Sequence, residues 1–320
     1  MTEAQRANGF VPGQPVAAEH LNYEIQRLTA DVEAAALCNI LAQTSGTVLD
    51  LNCVFWHEQT EQFLTAGSGG HLRTSPDGRV WTAQTSGVAT DIVGIGGNDS
   101  TLVYVGASGV IRTSPDGITW TSRTSGTAAT LTGVAWFAAA SIFIAVGLGG
   151  VLLTSPDGIT WTPRTSGTIV DLLAVACNDT TAVAVGGDGF TTPVCTSLDG
   201  ITWTFQDLPF GVAAGVAWSD PIGLFAIAAF NLLYTSPDGI IWTERTNPTS
   251  ANVNGMATSQ RHFFGCGDNM LISRDGITWH VADSTENSVQ PVDGAWNGRV
   301  MVVVGPGGAI HKTHRVPPAF

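Results

Sequence analysis

The sequence predicts an all-β fold: a seven-bladed β-propeller of four-stranded blades, closed by an N-terminal strand and preceded by one N-terminal α-helix. Three observations lead there. A turn-bearing stretch, Thr-Ser-Pro-Asp-Gly-Ile-Thr-Trp-Thr-Ser-Arg-Thr-Ser-Gly at 113–126, recurs with starts at Thr74, Thr113, Thr154, Thr196, Thr235 and, worn, at Ile272. The steps are 39, 41, 42, 39 and 37 residues, a period that marks a repeat architecture. Each period holds room for four short strands, the size of a propeller blade. Finally, the two chain ends carry complementary fragments of one more repeat.

Residues 1–16 are polar and hold Gly and Pro, so an extended arm is expected. Residues 17–37 lack both, and Leu21, Ile25, Leu28, Val32 and Ala35 fall at spacings of 4, 3, 4 and 3, the stripe of an amphipathic helix. Two readings stay open. The helix packs on its own propeller, or its seam joins copies of the chain into a homo-oligomer such as a trimer or docks the chain on a larger assembly. Either way residues 1–38 form an arm and helix, and 39–320 the propeller.

Within each repeat, Pro-Asp-Gly reverses the chain: Pro presets φ, Asp accepts from nearby backbone N–H groups and Gly takes positive φ. Apolar stretches such as Leu152-Leu153 precede the turn, and Ile-Thr-Trp-Thr after it alternates as a half-buried strand would. Two further apolar stretches lie upstream, for example 92–96 and 102–106 around a polar Gly-Asn-Asp-Ser turn. Six blades are therefore expected at about 47–83, 87–123, 127–164, 168–206, 210–245 and 250–282. Residues 39–46 match the end of a repeat without its beginning, while 292–296, 300–304 and 309–313 give three strands without a fourth. Joined, they make a seventh blade and remove two open sheet edges.

Ser75-Pro-Asp77-Gly78-Arg-Val-Trp81 and its copies resemble the Asp-box, or BNR, repeat of sialidase-like propellers. One residue is missing between Asp and Gly relative to that family's pattern. The resemblance implies that Trp81, Trp120, Trp161, Trp203, Trp242 and Trp279 pack between blades, and that Asp77, Asp116, Asp157, Asp199, Asp238 and Asp275 are turn residues. A second stretch, Phe10-Val-Pro-Gly-Gln-Pro-Val-Ala-Ala-Glu-His-Leu-Asn22, resembles the N-terminal segment of bacteriophage tail-fibre and related virion proteins.

Composition narrows the function. The 320 residues are 44% apolar and 12% charged, with a net charge of −13 and a single lysine, Lys312. Such a chain offers no basic face for a nucleic acid. Five scattered cysteines, Cys38, Cys53, Cys177, Cys195 and Cys266, form no metal-ligand pattern and read as small buried hydrophobes. No signal peptide is expected. Residues 133–153 would pass a hydropathy window as a membrane span, but the repeat register makes them a buried hairpin, so no membrane insertion is expected.

Aligning the repeats places Asp50, Asp91 and Asp171 at one slot before the axis-lining strand, with Thr130, Val212, Asn252 and Pro291 in the other blades. Carboxylates near a channel mouth suit a hard cation or sugar hydroxyls, or else serve the local loop. Sialidase chemistry needs an arginine cluster and a Tyr/Glu pair at the axis; here Arg123, Arg164 and Arg245 fall on outer strands. No catalytic residue, metal or cofactor is therefore expected. The reading that results is a non-enzymatic bacteriophage virion subunit: a fibre, spike or decoration protein held to other virion proteins by its helix, and presenting the propeller to a host-surface glycan. A glycosidase or lyase acting on bacterial surface polysaccharide, and an assembly-scaffold propeller, are the alternatives.

Overall fold

The computed structural model describes residues 40–209, 211–282 and 290–313. They form seven antiparallel sheets of four strands each. The first sheet, Leu51–His57, Gln62–Gly67, Leu72–Ser75 and Thr82–Gln84, runs outward in chain order, as do the next five. The seventh is composite. Asp293–Trp296, Met301–Val304 and Ile310–Thr313 are completed by Ile40–Gln43, with Ile40 opposite Thr313 and Gln43 opposite Ile310. The predicted closure by the two chain ends is the one observed.

The predicted blade limits hold to within a residue apart from the fourth, whose outer strand, Thr204–Pro209, passes the expected end at 206. The 133–153 stretch is a hairpin and the strand after it, and among the described residues no helix is long and apolar enough to cross a membrane. The helix expected at 17–37, with Leu21, Ile25, Leu28 and Val32, lies outside the described residues.

Each Ser-x-Asp-Gly turn is closed by its own side chains. In the second blade the Gly117 N–H donates to Ser114 Oγ at 2.8 Å, the Ser114 hydroxyl donates to Asp116 Oδ1 at 2.9 Å, and that oxygen also accepts the Ile118 and Thr119 N–H groups at 2.8 Å. The same net recurs at Asp157, Asp199, Asp238 and Asp275, and at Asp77 its Arg79 N–H bond is kept. Backbone donors, led by Thr119, Thr160 and Thr202, hold the Asp116, Asp157 and Asp199 carboxyls below the usual range.

This net corrects one expectation. Ile-Thr-Trp-Thr is not an alternating strand, because the N–H groups of Ile and Thr are committed to the Asp carboxylate instead of a sheet partner. The outer strand of the second blade starts only at Thr121, and Ile118 is exposed on the turn, as are Ile159, Ile201, Ile240 and Ile277.

Trp120 packs with Leu64 and Ala66 of the first blade and Tyr104 of its own, and Trp81, Trp161, Trp203, Trp242 and Trp279 fill the corresponding junctions. Each ring buries on the order of 150–250 Å². The indole N–H donates to the carbonyl of the turn glycine at 3.0–3.3 Å in five copies, whereas the buried Trp81 N–H has no partner. Cys53, Cys195 and Cys266 are buried and free, and Cys177 is partly covered.

Candidate functional site at the axial channel

The seven innermost strands surround a central cavity of about 650 Å³. Their geometry follows from one irregularity: in six blades the strand bulges at its second residue, for example between Leu51 and Cys53 and between Ile92 and Gly94. Bulges turn a side chain away from the regular pleat. Two of these residues tie adjacent inner strands together. Asn52 Nδ2 donates to the Ile92 carbonyl at 2.9 Å, and Thr132 Oγ1 to that of Leu172 at 2.7 Å.

The residue after the bulge is small wherever the next blade presses close. Cys53, Gly94, Gly133, Ala174, Gly215 and Gly255 occupy this slot, opposite Ala66, Val105, Val146, Val185, Ala228 and Cys266 on the second strands. A Cβ on Gly255 would stand 2.1 Å from the Val292 carbonyl. The seventh blade puts Asp293 there, opposite Val304. Its Oδ2 accepts the Val54 N–H at 2.8 Å and its Oδ1 the Gly294 N–H at 2.8 Å, so a carboxylate joins the last inner strand to the first.

Among the described residues that line the channel, Asp293 is the one acid. Burial raises its pKa from 3.8 to about 7, against the two N–H donors that favour the ionised form. Part of its surface still faces the channel. The thiols of Cys53 and Cys266 are pushed up, by burial first and by Asp293 second. The sequence reading passed over Asp293, although an acid in a column otherwise filled by Gly, Ala and Cys is a signal that an alignment of the repeats displays.

Asp50, Asp91 and Asp171 do not line the channel. Each clasps the preceding blade instead. Asp50 Oδ1 accepts the Gly307 N–H at 2.7 Å, Asp91 Oδ1 that of Gly69 at 2.8 Å, and Asp171 Oδ1 that of Gly149 at 2.7 Å. These are the tight turns between second and third strands, whose exposed amides need acceptors. The structure distributes the three over the first, second and fourth blades and assigns each to a neighbour's loop. Among the described residues no group of three or more His, Cys, Asp or Glu side chains could hold a metal ion.

The same face carries two exposed phenylalanines. Both belong to loops between second and third strands, in the adjacent fourth and fifth blades, where the chain departs from the small-residue turns Ser68–Gly70, Leu148–Gly150 and Pro306–Gly308. Phe190 is 82% exposed, on a loop fixed by Asp188 Oδ1, which accepts the Phe190 and Thr191 N–H groups at 2.9 Å. Phe230 is 47% exposed and has a φ of 56°, a left-handed conformation that a bulky side chain seldom adopts. Its carbonyl accepts the Val253 N–H at 2.8 Å, which anchors the turn to the sixth blade.

Comparison with known proteins shows the fold alone. No family model matches the chain, and no curated protein does. Among solved structures 1142 chains match, a number that reflects a widespread architecture. One, described as YCF48 bound to D1 peptide, is 14% identical with a TM-score of 0.69, covering 87% of this chain and 95% of its own. At that identity the likeness extends to the propeller and no further.

Proposed function

We propose that this chain is a non-enzymatic attachment propeller, a bacteriophage fibre, spike or decoration subunit whose arm and helix hold it in the particle while the loop face of the fourth and fifth blades meets a host-surface glycan. The observation that carries this reading is the pair of exposed phenylalanines, Phe190 and Phe230, on neighbouring loops that break the repeat. An aromatic ring held out on a stiff loop gives a flat apolar surface at low entropic cost, and deviations from a repeat are where such scaffolds carry recognition. Asp188 fixes one loop and the strained backbone at Phe230 marks the other.

Two features support binding without turnover. Among the described channel-lining residues Asp293 is the one acid, whereas glycoside hydrolysis uses two carboxyl groups about 5–9.5 Å apart. The Ser-x-Asp-Gly aspartates, which resemble those of Asp-box propellers, are spent on their own turns. The structural neighbour is bound to a peptide; here the segment at 10–22, which resembles that of tail-fibre proteins, favours a virion role over that of an assembly scaffold.

The test uses the full chain and a panel of purified bacterial lipopolysaccharides and capsules. Binding to at least one, weakened tenfold or more in Phe190→Ala/Phe230→Ala, with no oligosaccharide released, is expected. Release of oligosaccharide, binding unchanged in the double variant, or binding to none of the panel would overturn the reading. Mass spectrometry of purified particles checks the virion assignment, which the chain's absence from them would defeat.

A further inference from the structure

The seventh blade lacks something that the other six have. Its third strand, Ile310–Thr313, and its outer strand, Ile40–Gln43, come from opposite ends of the chain, so no Ser-x-Asp-Gly turn links them. A pocket of about 440 Å³ lies between the described residues of the seventh blade and the Pro76–Arg79 turn of the first. This volume lies within the roughly 300–1,000 Å³ of small-ligand clefts.

Three cations line it: Arg79, Arg299 and Lys312. Two of them replace the ordinary residue of their repeat. The Arg79 position holds isoleucine in every other copy, at Ile118, Ile159, Ile201, Ile240 and Ile277. Lys312, the sole lysine, sits opposite Val302 as Thr74 sits opposite Leu64 in the first blade, and five turn-bearing copies have threonine there. In a chain of net charge −13, with 13 arginines and lysines in all, this gathering runs against the composition.

Among the described residues one acid, Asp77, also lines the pocket, and its carboxylate attracts both Arg79 and Lys312, which leaves three cations to one carboxylate. Lys312 Nζ donates to the Asp77 carbonyl at 2.6 Å, which uses one of its three N–H donors. The nearby Asp77 carboxylate accepts the Arg79 backbone N–H at 2.9 Å, so it is turned into its own turn. Partial burial, and after it the neighbouring Arg79, pull the Lys312 pKa down, with Asp77 acting against them. Leu41 and Val300 supply apolar wall.

From this we infer that the seam pocket is a binding site for a small oxyanion-bearing ligand, a carboxylate, phosphate or sulfate gripped by Arg79, Arg299 and Lys312 with its carbon skeleton against Leu41 and Val300. Arginine's planar fork suits such groups.

Isothermal titration of the full chain at low ionic strength with inorganic phosphate, glucuronate and glucose tests it. Phosphate and glucuronate should bind and glucose should not. Arg79→Ile, which installs the residue of the other repeats and so preserves the turn, should weaken binding at least tenfold, as should Arg299→Ala, with thermal unfolding unchanged in both. Glucuronate binding tighter than phosphate assigns the site to acidic sugars; equal binding assigns it to the bare anion. Failure of both anions to bind, equal binding of glucose, or full affinity in Arg79→Ile would overturn the inference. None of these outcomes depends on Phe190 or Phe230, so the attachment reading stands or falls separately.

Discussion

Asp293 makes stability depend on pH in a direction opposite to that of most carboxylates. Its pKa rises from 3.8 unfolded to about 7 in the ring, so between these values the folded chain keeps a proton that the unfolded chain releases. Stability contributed by this group is therefore full below about pH 4 and lost as pH climbs toward 7. Three pKa units correspond to about 4 kcal/mol at most. Water in the channel reaches part of the residue, which reduces the figure to roughly 1–3 kcal/mol. The measurement is urea unfolding of the wild type and Asp293→Asn, followed by tryptophan fluorescence from pH 4.5 to 8.5, read as the difference between them. Wild type should lose 1–3 kcal/mol relative to the variant across that range, whatever constant offset the amide introduces. Should the difference stay flat across that range, the Val54 and Gly294 N–H donors outweigh burial and the carboxylate is ionised throughout.

Two glycines in left-handed turns separate conformational strain from contact. Gly149 has a φ of 70° and open space around an added Cβ, so Gly149→Ala should cost about 1 kcal/mol, whereas in Gly70→Ala the Cβ would lie 2.1 Å from the Val88 carbonyl. Thermal unfolding should show the second variant several kcal/mol less stable, and equal costs would mean that the first and second blades separate freely. Removing the Asp157 carboxylate leaves the Ile159 and Thr160 N–H groups without their acceptor. Asp157→Ala should cost about 1–2 kcal/mol by urea denaturation and Asp157→Asn less than half of that, since an amide oxygen still accepts.

The ring was legible in the sequence because its information is periodic. Six turn signals fixed six blades, and the orphan fragment at 39–46 could pair only with the unfinished repeat at 309–313. What escaped lay where side chains depart from the period. Ile118 and its equivalents looked like strand residues because the pattern of apolar residues does not show which N–H groups the Asp carboxylate captures. Asp50, Asp91 and Asp171 shared a slot, but their partners are amides 22 residues upstream or, for Asp50, at the far end of the chain. Arg79 and Lys312 lie 233 positions apart, and only the closed ring brings both to one pocket.

Closure by distant chain ends also sets an order of assembly. In the second blade six residues, 115–120, separate the third strand from the outer one; in the seventh the outer strand is separated by 266, from 44 to 309. Closing the longer loop from an open chain costs about 3 kcal/mol more. Once the other blades stand, residues 44–50 are all that separate Ile40–Gln43 from the neighbouring inner strand, and the penalty has been met. The seam should therefore form after the rate-limiting step, while the local Asp turns form before it. Asp50→Ala removes the bond to Gly307 across the seam, and Asp157→Ala removes bonds within one turn. Asp50→Ala should lose about 1 kcal/mol and Asp157→Ala about 1–2 kcal/mol. In stopped-flow measurements Asp50→Ala should speed unfolding about fivefold with refolding unchanged, and Asp157→Ala should chiefly slow refolding. If both variants moved the same limb, the ends would be joined before the rate-limiting barrier, and the ring would not be built blade by blade.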